Sequence, residues 1–168
     1  MPSYLYFPKP VLAEGLFEES ASFPALSISL DEFGALTSVE FERGTLPDFP
    51  PIEPHHPVAI QFDEYFSGKR RSFEVTLKPR GTEFQKAVWA SLCRIPYGES
   101  RSYSDIAMEI GNPAAVRAVG AANGANPIVI IQPCHRVIGR SGKLVGFGGG
   151  IDNKAILLTL EGCAFSAR

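Results

Sequence analysis

The pattern of apolar residues changes once along this chain of 168 residues, at Lys78-Pro79-Arg80-Gly81. Before that point apolar residues alternate with polar ones, over 26–30 and 36–41, which predicts two strands joined as a hairpin. After it they recur at the three- and four-residue spacing that is typical of helices. The sequence therefore predicts an α+β fold, with a small N-terminal sheet-plus-helix domain over 1–77 and a mostly helical C-terminal domain over 78–168.

Further elements are predicted inside each region. Residues 58–66 are expected to form a short helix and residues 73–77 a strand. Thr82 and Gln85 have the spacing of a capping box, which begins a helix by satisfying free backbone donors. The expected buried stripe of that helix comprises Phe84, Ala87, Val88, Ser91 and Leu92.

Two more helices follow, and their connection predicts a helix-turn-helix. The first is capped by Ser102 or Ser104 and stops at Gly111, and the second opens at Asn112-Pro113. The second helix is rich in Ala and Gly, whereas helices that read bases in the major groove usually carry Arg, Lys, Asn or Gln. Such a bare helix suits either the narrow minor groove or close packing inside the protein, and both interpretations remain open at this point.

Charge and cysteine content limit the class of partner and the compartment. Residues 1–77 carry a net charge of -7 and residues 78–168 one of +5, so the second region can face a polyanion although the whole chain is at -2. Three cysteines without CxxC spacing exclude a disulfide framework or zinc ribbon and favour a reduced intracellular compartment. No signal peptide and no apolar run of membrane-spanning length is seen, so no membrane partner is expected.

The dipeptide Cys134-His135 suggests a thiolate nucleophile. An imidazole can accept the thiol proton and, once charged, lower the pKa of the thiol. Neighbours in an extended chain point to opposite sides, so a direct bond would need an unusual turn after Pro133, and the alternative is a water relay. Glu161 is a candidate acidic partner for the imidazole. A packed cysteine beside an unrelated histidine is the alternative explanation of the dipeptide.

The surrounding motifs are far more specific than the dipeptide. They are Gly-Thr-x-Phe-Gln, Ile-Pro-Tyr-Gly, Ser-Tyr-x-x-Ile-Ala, Ala-x-Arg-Ala-Val-Gly-x-Ala-Asn, Asn-Pro, Pro-Cys-His-Arg-Val-Ile, Gly-Gly-x-x-x-Lys and Leu-Leu-x-x-Glu-Gly, in that order over residues 80–162. In this order and spacing the segment resembles the O6-alkylguanine-DNA alkyltransferase family. Residues 1–77 match that family only loosely, and the zinc-binding cysteines of some members have no counterpart there.

The resemblance implies a chemical role for four residues. Cys134 would accept the alkyl group, and His135 would relay the thiol proton through water. Glu161 would orient His135, and Asn126 would hold the hydrogen-bond network and the turn that carries the cysteine.

The resemblance also implies how DNA is held. Arg117 would enter the duplex in place of a flipped base, since the alkylated oxygen is out of reach inside a stacked pair. The other implied DNA contacts are Tyr103, Ala118, Gly120, Ala121 and Arg136, with Arg136 expected either to brace the loop or to meet phosphate. The implied substrate pocket comprises Tyr103, Val137, Phe147, Gly148 and Lys154, with Lys154 either at the pocket rim or solvated.

Three residues depart from the family pattern. Members often have Tyr at Phe147 and a hydroxyl residue at Gly148, so side-chain hydroxyl contacts there are lost. Gln132 replaces an apolar residue, and is expected either at an exposed strand end or as a change in how the cysteine loop is held. These departures bear on the range and rate of alkyl transfer, not on the type of reaction.

The resulting hypothesis is a single-turnover DNA repair alkyltransferase. It would take a methyl or other alkyl group from O6 of guanine, with O4 of thymine as a second substrate, and would need no metal or organic cofactor. Its partner would be duplex DNA containing alkylated guanine, bound by a monomer in the cytoplasm, or in the nucleus of a eukaryote. The first alternative is a non-catalytic alkyltransferase-like lesion binder, against which Cys134 argues, and a Cys-His hydrolase is the second.

Overall fold

The computed structural model describes residues 1–9 and 23–166, which fall into two compact units, Met1–Lys78 and Pro79–Arg168. The boundary expected from the sequence lies one residue earlier, before Lys78. Within the described ranges, every helix is too short or too polar to cross a bilayer.

The first unit contains an antiparallel sheet in the order of the chain. Its strands are β1 (Ser3–Tyr6), β2 (Leu26–Leu30) and β3 (Leu36–Phe41). β2 pairs with β3 as the predicted hairpin, which is thereby confirmed. In the connecting turn, Asp31 Oδ1 accepts hydrogen bonds from the backbone N–H groups of Phe33 and Ala35, each at 2.9 Å. This arrangement uses the short Asp side chain to reverse the chain direction.

Helix α1 (Pro57–Phe66) confirms the short helix predicted over residues 58–66. His56 is its N-cap, since the Nδ1 atom of His56 accepts a hydrogen bond of 3.2 Å from the backbone N–H of Val58. The buried side of α1 and the sheet share an aromatic core. Its rings belong to Tyr6, Phe23, Phe62, Tyr65 and Phe66.

The strand predicted over residues 73–77 is wrong. Only one bridge, between Leu36 and Leu77, pairs this segment with the sheet in the described part of the chain. The cause is Gln61, whose side chain takes both backbone groups of Glu74. Gln61 Oε1 accepts from Glu74 N at 2.7 Å, and Gln61 Nε2 donates to Glu74 O at 3.2 Å. These backbone groups are therefore satisfied without a β-ladder.

In the second unit, helix α2 (Glu83–Leu92) begins with the predicted capping box between Thr82 and Gln85. Its buried stripe was only partly predicted, because Ala87 is exposed and Trp89 is buried. The Trp89 indole Nε1–H donates a hydrogen bond of 2.8 Å to the Ala122 carbonyl. This bond satisfies the polar end of a large ring and ties α2 to a later helix.

Helices α3 (Tyr103–Glu109) and α4 (Val116–Gly124) form the predicted helix-turn-helix. Ser102 caps α3, and Asp105 completes a second capping box. The predicted start of α4 at Asn112 is wrong, since residues 112–115 form a turn closed by a hydrogen bond of 3.0 Å from Ala115 N to Asn112 O. Proline after the first residue of a four-residue turn favours this outcome.

The rest of the second unit comprises two short strands, a 3₁₀ turn and a last helix. Strand β4 (Arg101–Ser102) pairs in parallel with β5 (Val137–Ile138), and helix α5 (Ile151–Leu160) completes the unit. The 3₁₀ turn, Cys134–Arg136, comes directly before β5. Its position brings the Cys-His motif against the hydrophobic core formed by α2, α3 and α4.

Candidate active site

The cysteine of the Cys-His motif is buried in a tight turn. The Cys134 side chain is 3% exposed, and the turn is closed by a hydrogen bond of 3.0 Å from Arg136 N to Pro133 O. The backbone N–H of Cys134 also donates to Gln132 O at 2.8 Å. The chain is therefore not extended after Pro133, and the turn considered from the sequence is present.

His135 and Glu161 are in contact. They belong to a hydrogen-bond network that joins the 3₁₀ turn to Glu161 at the end of α5. The His135 Nε2 atom lies 2.8 Å from Glu161 Oε1. The Arg136 guanidinium donates to both carboxylate oxygens of Glu161, at 2.8 and 2.9 Å, and to the Ile95 carbonyl. All three ionisable side chains are buried, so their hydrogen bonds have little competition from water.

This network fixes the proton positions on His135. Burial acts to raise the pKa of Glu161, but the His135 ring and the Arg136 guanidinium together hold that pKa well below its usual range. Burial lowers the pKa of His135, against the opposite effect of the Glu161 carboxylate, and so favours the neutral ring. An ionised carboxylate needs a donor, so the proton of the neutral ring lies on Nε2. His135 Nδ1 is buried and finds no hydrogen-bond partner among residues 1–9 and 23–166, which leaves it as a proton acceptor.

Lys154 of α5 lies beside the cysteine and is fully buried. Its Nζ donates to the carbonyls of Val137 and Val145 and lies 5.8 Å from the centre of the Phe147 ring. Burial lowers the pKa of Lys154 to about 8, although the nearby Cys134 acts in the opposite direction. A solvated lysine, one of the two environments expected from the sequence, is therefore excluded.

Removing Lys154 tests this burial through pH. Because the Lys154 pKa is 10.5 in the reference state and about 8 in the folded chain, the unfolded chain binds more protons between these values. The free energy of unfolding of the wild type, relative to Lys154→Met, should therefore rise with pH from about 8 upward, by on the order of 2–3 kcal/mol. Urea unfolding of both proteins from about pH 7.5 to about pH 10 measures how the difference in the free energy of unfolding changes with pH. A difference that is constant with pH would contradict the assigned burial.

Burial also raises the pKa of the Cys134 thiol. The Asn126 side chain, the Lys154 charge and the backbone N–H groups of Cys134 and His135 act in the opposite direction. The thiolate is thus costly in this place but has four groups that favour it. Proton removal by a neighbouring base is what such a thiol requires.

Asn126 is buried and holds the segment before the cysteine. Its Nδ2 donates to Gln132 O at 2.7 Å, and its Oδ1 accepts from Ile128 N at 3.0 Å. Gln132 is buried as well and donates from Nε2 to Asn126 Oδ1 at 2.7 Å. The expectation of an exposed strand end at Gln132 is wrong, and the alternative, a residue that changes how the loop is held, fits its contacts.

Several predicted DNA contacts lie on the surface of the helix-turn-helix. Arg117, Ala118 and Ala121 of α4 are exposed. Gly120 faces the Tyr103 ring of α3, because a Cβ atom at Gly120 would lie 3.9 Å from that ring. Gly120 therefore lies on the side of α4 that packs against α3, whereas the exposed side of α4 carries the small residues Ala118 and Ala121.

The predicted pocket residues differ in exposure. Tyr103 and Phe147 are half-buried, Val137 is buried and Gly148 is exposed. Tyr103 packs against the core cluster that includes Cys134, and burial, with a smaller effect of the Cys134 charge, raises the pKa of the Tyr103 phenol. The Val137 carbonyl accepts a hydrogen bond from the Lys154 ammonium group.

Arg136 corrects one expectation about the residues that contact DNA. A phosphate contact for Arg136 is wrong, because this side chain is buried and bonded to Glu161 and to the Ile95 carbonyl. Bracing, the other expected role of Arg136, describes these contacts.

Asn123 was missed: it is buried in α4, and its Nδ2 lies 3.5 Å from the Cys134 carbonyl. The available signal was a polar residue four positions after Val119, on the apolar face of the helix.

Comparisons with known proteins agree on one family. Residues 83–163 match the family model described as 6-O-methylguanine DNA methyltransferase, DNA binding domain. A methylated-DNA–protein-cysteine methyltransferase from Methanosarcina barkeri is 60% identical over 103 residues, 61% of this chain and 65% of that protein. The inducible enzyme of that name from Bacillus subtilis is 57% identical over 105 residues, 62% of this chain and 59% of the relative. These alignments span less than two thirds of either curated relative.

Solved structures cover more of the chain. The crystal structure of Mycobacterium tuberculosis OGT in complex with DNA has a TM-score of 0.75 and 47% identity, over 83% of this chain and 88% of that one. The structure of the M. tuberculosis O6-methylguanine methyltransferase has a TM-score of 0.76 and 46% identity, over 84% and 88%. The likeness therefore extends through most of the mixed α+β fold.

Proposed function

Since the chain belongs to the O6-methylguanine DNA methyltransferase family, we propose that it repairs duplex DNA by taking a methyl or other alkyl group from O6 of guanine onto Cys134. The observation that carries the proposal is the buried Cys134 turn beside a neutral His135 whose Nδ1 is free to accept a proton. A thiol that needs a base and a base with an unpaired nitrogen thus belong to neighbouring residues of one turn, which suits nucleophilic attack assisted by a water relay.

In this mechanism His135 Nδ1 takes the Cys134 proton through a water molecule, and Glu161 steadies the resulting imidazolium. The thiolate sulfur attacks the alkyl carbon as the bond from that carbon to O6 breaks. The electron pair goes to guanine, which takes up the proton that the thiol gave away. Cys134 is left as a thioether, which has no good way to leave, so each molecule acts once. The reaction needs neither a metal nor an organic cofactor.

The helix-turn-helix would hold the DNA. The exposed Ala and Gly face of α4 can approach a minor groove closely, and Arg117 on the same helix would enter the duplex in place of the flipped guanine. Phosphate contacts would then dominate affinity, so binding should weaken with salt and depend little on sequence. Tyr103, Val137, Phe147, Gly148 and Lys154 would form the walls of the base pocket.

We further infer where and how the protein acts. A single copy would suffice, since every residue of the proposed mechanism comes from one chain. Its site of action would be wherever the genome lies, the cytoplasm or, in a eukaryote, the nucleus. O4-alkylthymine would be a second substrate, because it presents the same kind of alkylated oxygen.

Arg117→Ala should slow alkyl transfer from a fully paired duplex by about tenfold to a hundredfold, because flipping a base costs a few kcal/mol and the variant no longer fills the gap. Single-turnover rates measure this. The deficit should shrink when the methylated guanine is placed in a mismatch, which flips more easily. Arg117→Lys keeps the charge and serves as the control for simple electrostatic loss. Equal rates for wild type and Arg117→Ala on paired DNA would remove Arg117 from this role.

A stoichiometric titration tests the proposed function itself. A fixed amount of duplex containing O6-methylguanine is mixed with increasing protein, and restored guanine is measured by chromatography of the digested DNA. We expect one guanine restored per protein molecule, with no further turnover. Tight binding of the lesion without restored guanine would instead indicate a lesion binder. If the protein neither binds the lesion nor repairs it, the Cys-His hydrolase hypothesis would be favoured.

A further inference from the structure

Asn126 and Gln132 form a closed pair of hydrogen bonds in front of the cysteine turn. The Gln132 side chain donates from Nε2 to Asn126 Oδ1, and Asn126 donates from Nδ2 to the Gln132 carbonyl, both at 2.7 Å. Both residues are buried. A buried amide pair of this kind is costly to leave partly unmade, so both bonds constrain the segment between the two residues.

The same Gln132 carbonyl also holds the nucleophile. It accepts the backbone N–H of Cys134 at 2.8 Å in addition to the Asn126 bond. The intervening chain is tightly bent, because Gln132 N donates to Ile128 O at 3.0 Å and Ile130 has φ +72°. A non-glycine residue with positive φ is strained and needs support from its surroundings. The Asn126–Gln132 pair supplies such support on both sides of the bend.

Gln132 also settles which way the Asn126 amide points. Asn126 Oδ1 receives two N–H groups, one from Ile128 and one from Gln132 Nε2. With both donors on the oxygen, Nδ2 is directed to the Gln132 carbonyl at the cysteine turn. Without Gln132 Nε2, the orientation would keep the Ile128 donor and the Gln132 carbonyl acceptor but would lose one of the three hydrogen bonds that hold it.

We propose that Gln132 is a positioning residue for Cys134. Gln132 acts through Asn126, because it fixes the orientation of the Asn126 amide and the turn that presents the Cys134 sulfur. The inference rests on the proposed alkyl-transfer function for its kinetic consequence, but the thiol itself can be measured without DNA. In support, the Asn126 side chain is one of the groups that oppose the burial-raised pKa of the Cys134 thiol. Loss of the Gln132 donor should therefore raise that pKa further.

Gln132→Met tests the proposal, because Met keeps the length of Gln and removes both polar groups. We expect the thiolate of Cys134, followed by its ultraviolet absorbance against a Cys134→Ser blank, to form at higher pH. At pH values below the thiol pKa, each unit by which this pKa rises lowers the thiolate population about tenfold. A more basic sulfur is also more nucleophilic, which offsets part of this loss. Transfer near neutral pH should thus slow by roughly threefold to tenfold.

Gln61→Met is the matched control. Gln61 is a buried glutamine of the first unit that also makes two hydrogen bonds through its side chain, to the backbone of Glu74. Its loss should reduce stability by a comparable route. Gln61→Met should leave the Cys134 titration and the transfer rate at wild-type values. If Gln132 had a merely structural role, Gln132→Met would also leave both at wild-type values.

Gln132→Glu keeps the test decisive if Gln132→Met folds poorly. A carboxylate cannot donate to Asn126 Oδ1, whereas a protonated carboxyl can. The transfer rate of Gln132→Glu, divided by the wild-type rate at the same pH, should therefore rise as the pH falls.

The outcomes separate the two hypotheses. A wild-type transfer rate and thiol titration in Gln132→Met, or a Gln132→Glu ratio that is flat with pH, would overturn the role of Gln132 and leave the function standing. A wild type that transfers no alkyl group would overturn the function. The thiol titrations of wild type and variant would still decide whether Gln132 positions Cys134.

Discussion

Glu161→Gln should lower the rate of alkyl transfer by about a hundredfold to a thousandfold, within the range that a positioned base contributes. The amide can accept one bond from His135 or donate to it, so it no longer forces the ring proton onto Nε2. His135 Nδ1 then loses its assured role as acceptor. Single-turnover kinetics on a methylated duplex measure the rate, under conditions in which far-ultraviolet circular dichroism shows the variant to be folded.

The same substitution should also reduce the free energy of unfolding by about 3–5 kcal/mol, because it leaves the Arg136 guanidinium buried without its ion partner. Glu109→Gln is the matched control. It breaks the ion pair between Glu109 and Arg94, whose side chains are exposed, and should cost at most about 1 kcal/mol and no activity. Equal effects of the two substitutions on stability, or an unchanged transfer rate in Glu161→Gln, would contradict the assigned network.

Trp89→Ala should reduce the free energy of unfolding of the second unit by about 3–5 kcal/mol, the usual cost of deleting a buried Trp side chain. The Trp89 ring is buried in the core formed by α2, α3 and α4, and its Nε1–H satisfies the Ala122 carbonyl of α4. The variant leaves both a cavity and an unpaired carbonyl. Denaturant unfolding followed by circular dichroism measures the loss.

Trp89→Phe separates the two parts of that cost. It keeps most of the ring and removes the hydrogen bond to Ala122, so its loss of stability should be clearly smaller. Because α4 carries Arg117, the Ala variant should also bind DNA more weakly while the Phe variant binds nearly normally. An unfolding midpoint of Trp89→Ala equal to that of the wild type would show that this ring does not hold α2 to α4.

Local chemistry explains which elements could be predicted from the sequence. The capping box of Thr82 and Gln85 and the Asp31 turn each depend on residues a few positions apart, so their patterns are visible in the chain itself. The segment 73–77 has the alternation of a strand, yet a side chain 13 residues away, Gln61, takes its backbone groups. Alternation reports which side chains can be buried, not where the backbone bonds go.

The same distinction between nearby and long-range contacts applies to the candidate site. The Cys-His dipeptide was recognisable and Glu161 was selected as a partner by its chemistry, whereas the turn after Pro133 was only one of two alternatives. The burial of Arg136 was not predictable, because its partners Glu161 and Ile95 lie 25 and 41 residues away. Lys154 is similar, since it meets the Val137 carbonyl only after α5 packs against the turn. A charged residue is usually solvated, and only long-range contacts reveal the exceptions.

Mass spectrometry of the intact protein shows directly whether Cys134 accepts the alkyl group. The wild type and Cys134→Ala are each mixed with a duplex that carries one O6-methylguanine, and modified chains are then cleaved and mapped. We expect one added methyl group on the wild type, located on Cys134 and matched by restored guanine, and none on the variant. A methyl group on Cys93 or Cys163, or no mass gain beside tight binding of the lesion, would contradict transfer to Cys134.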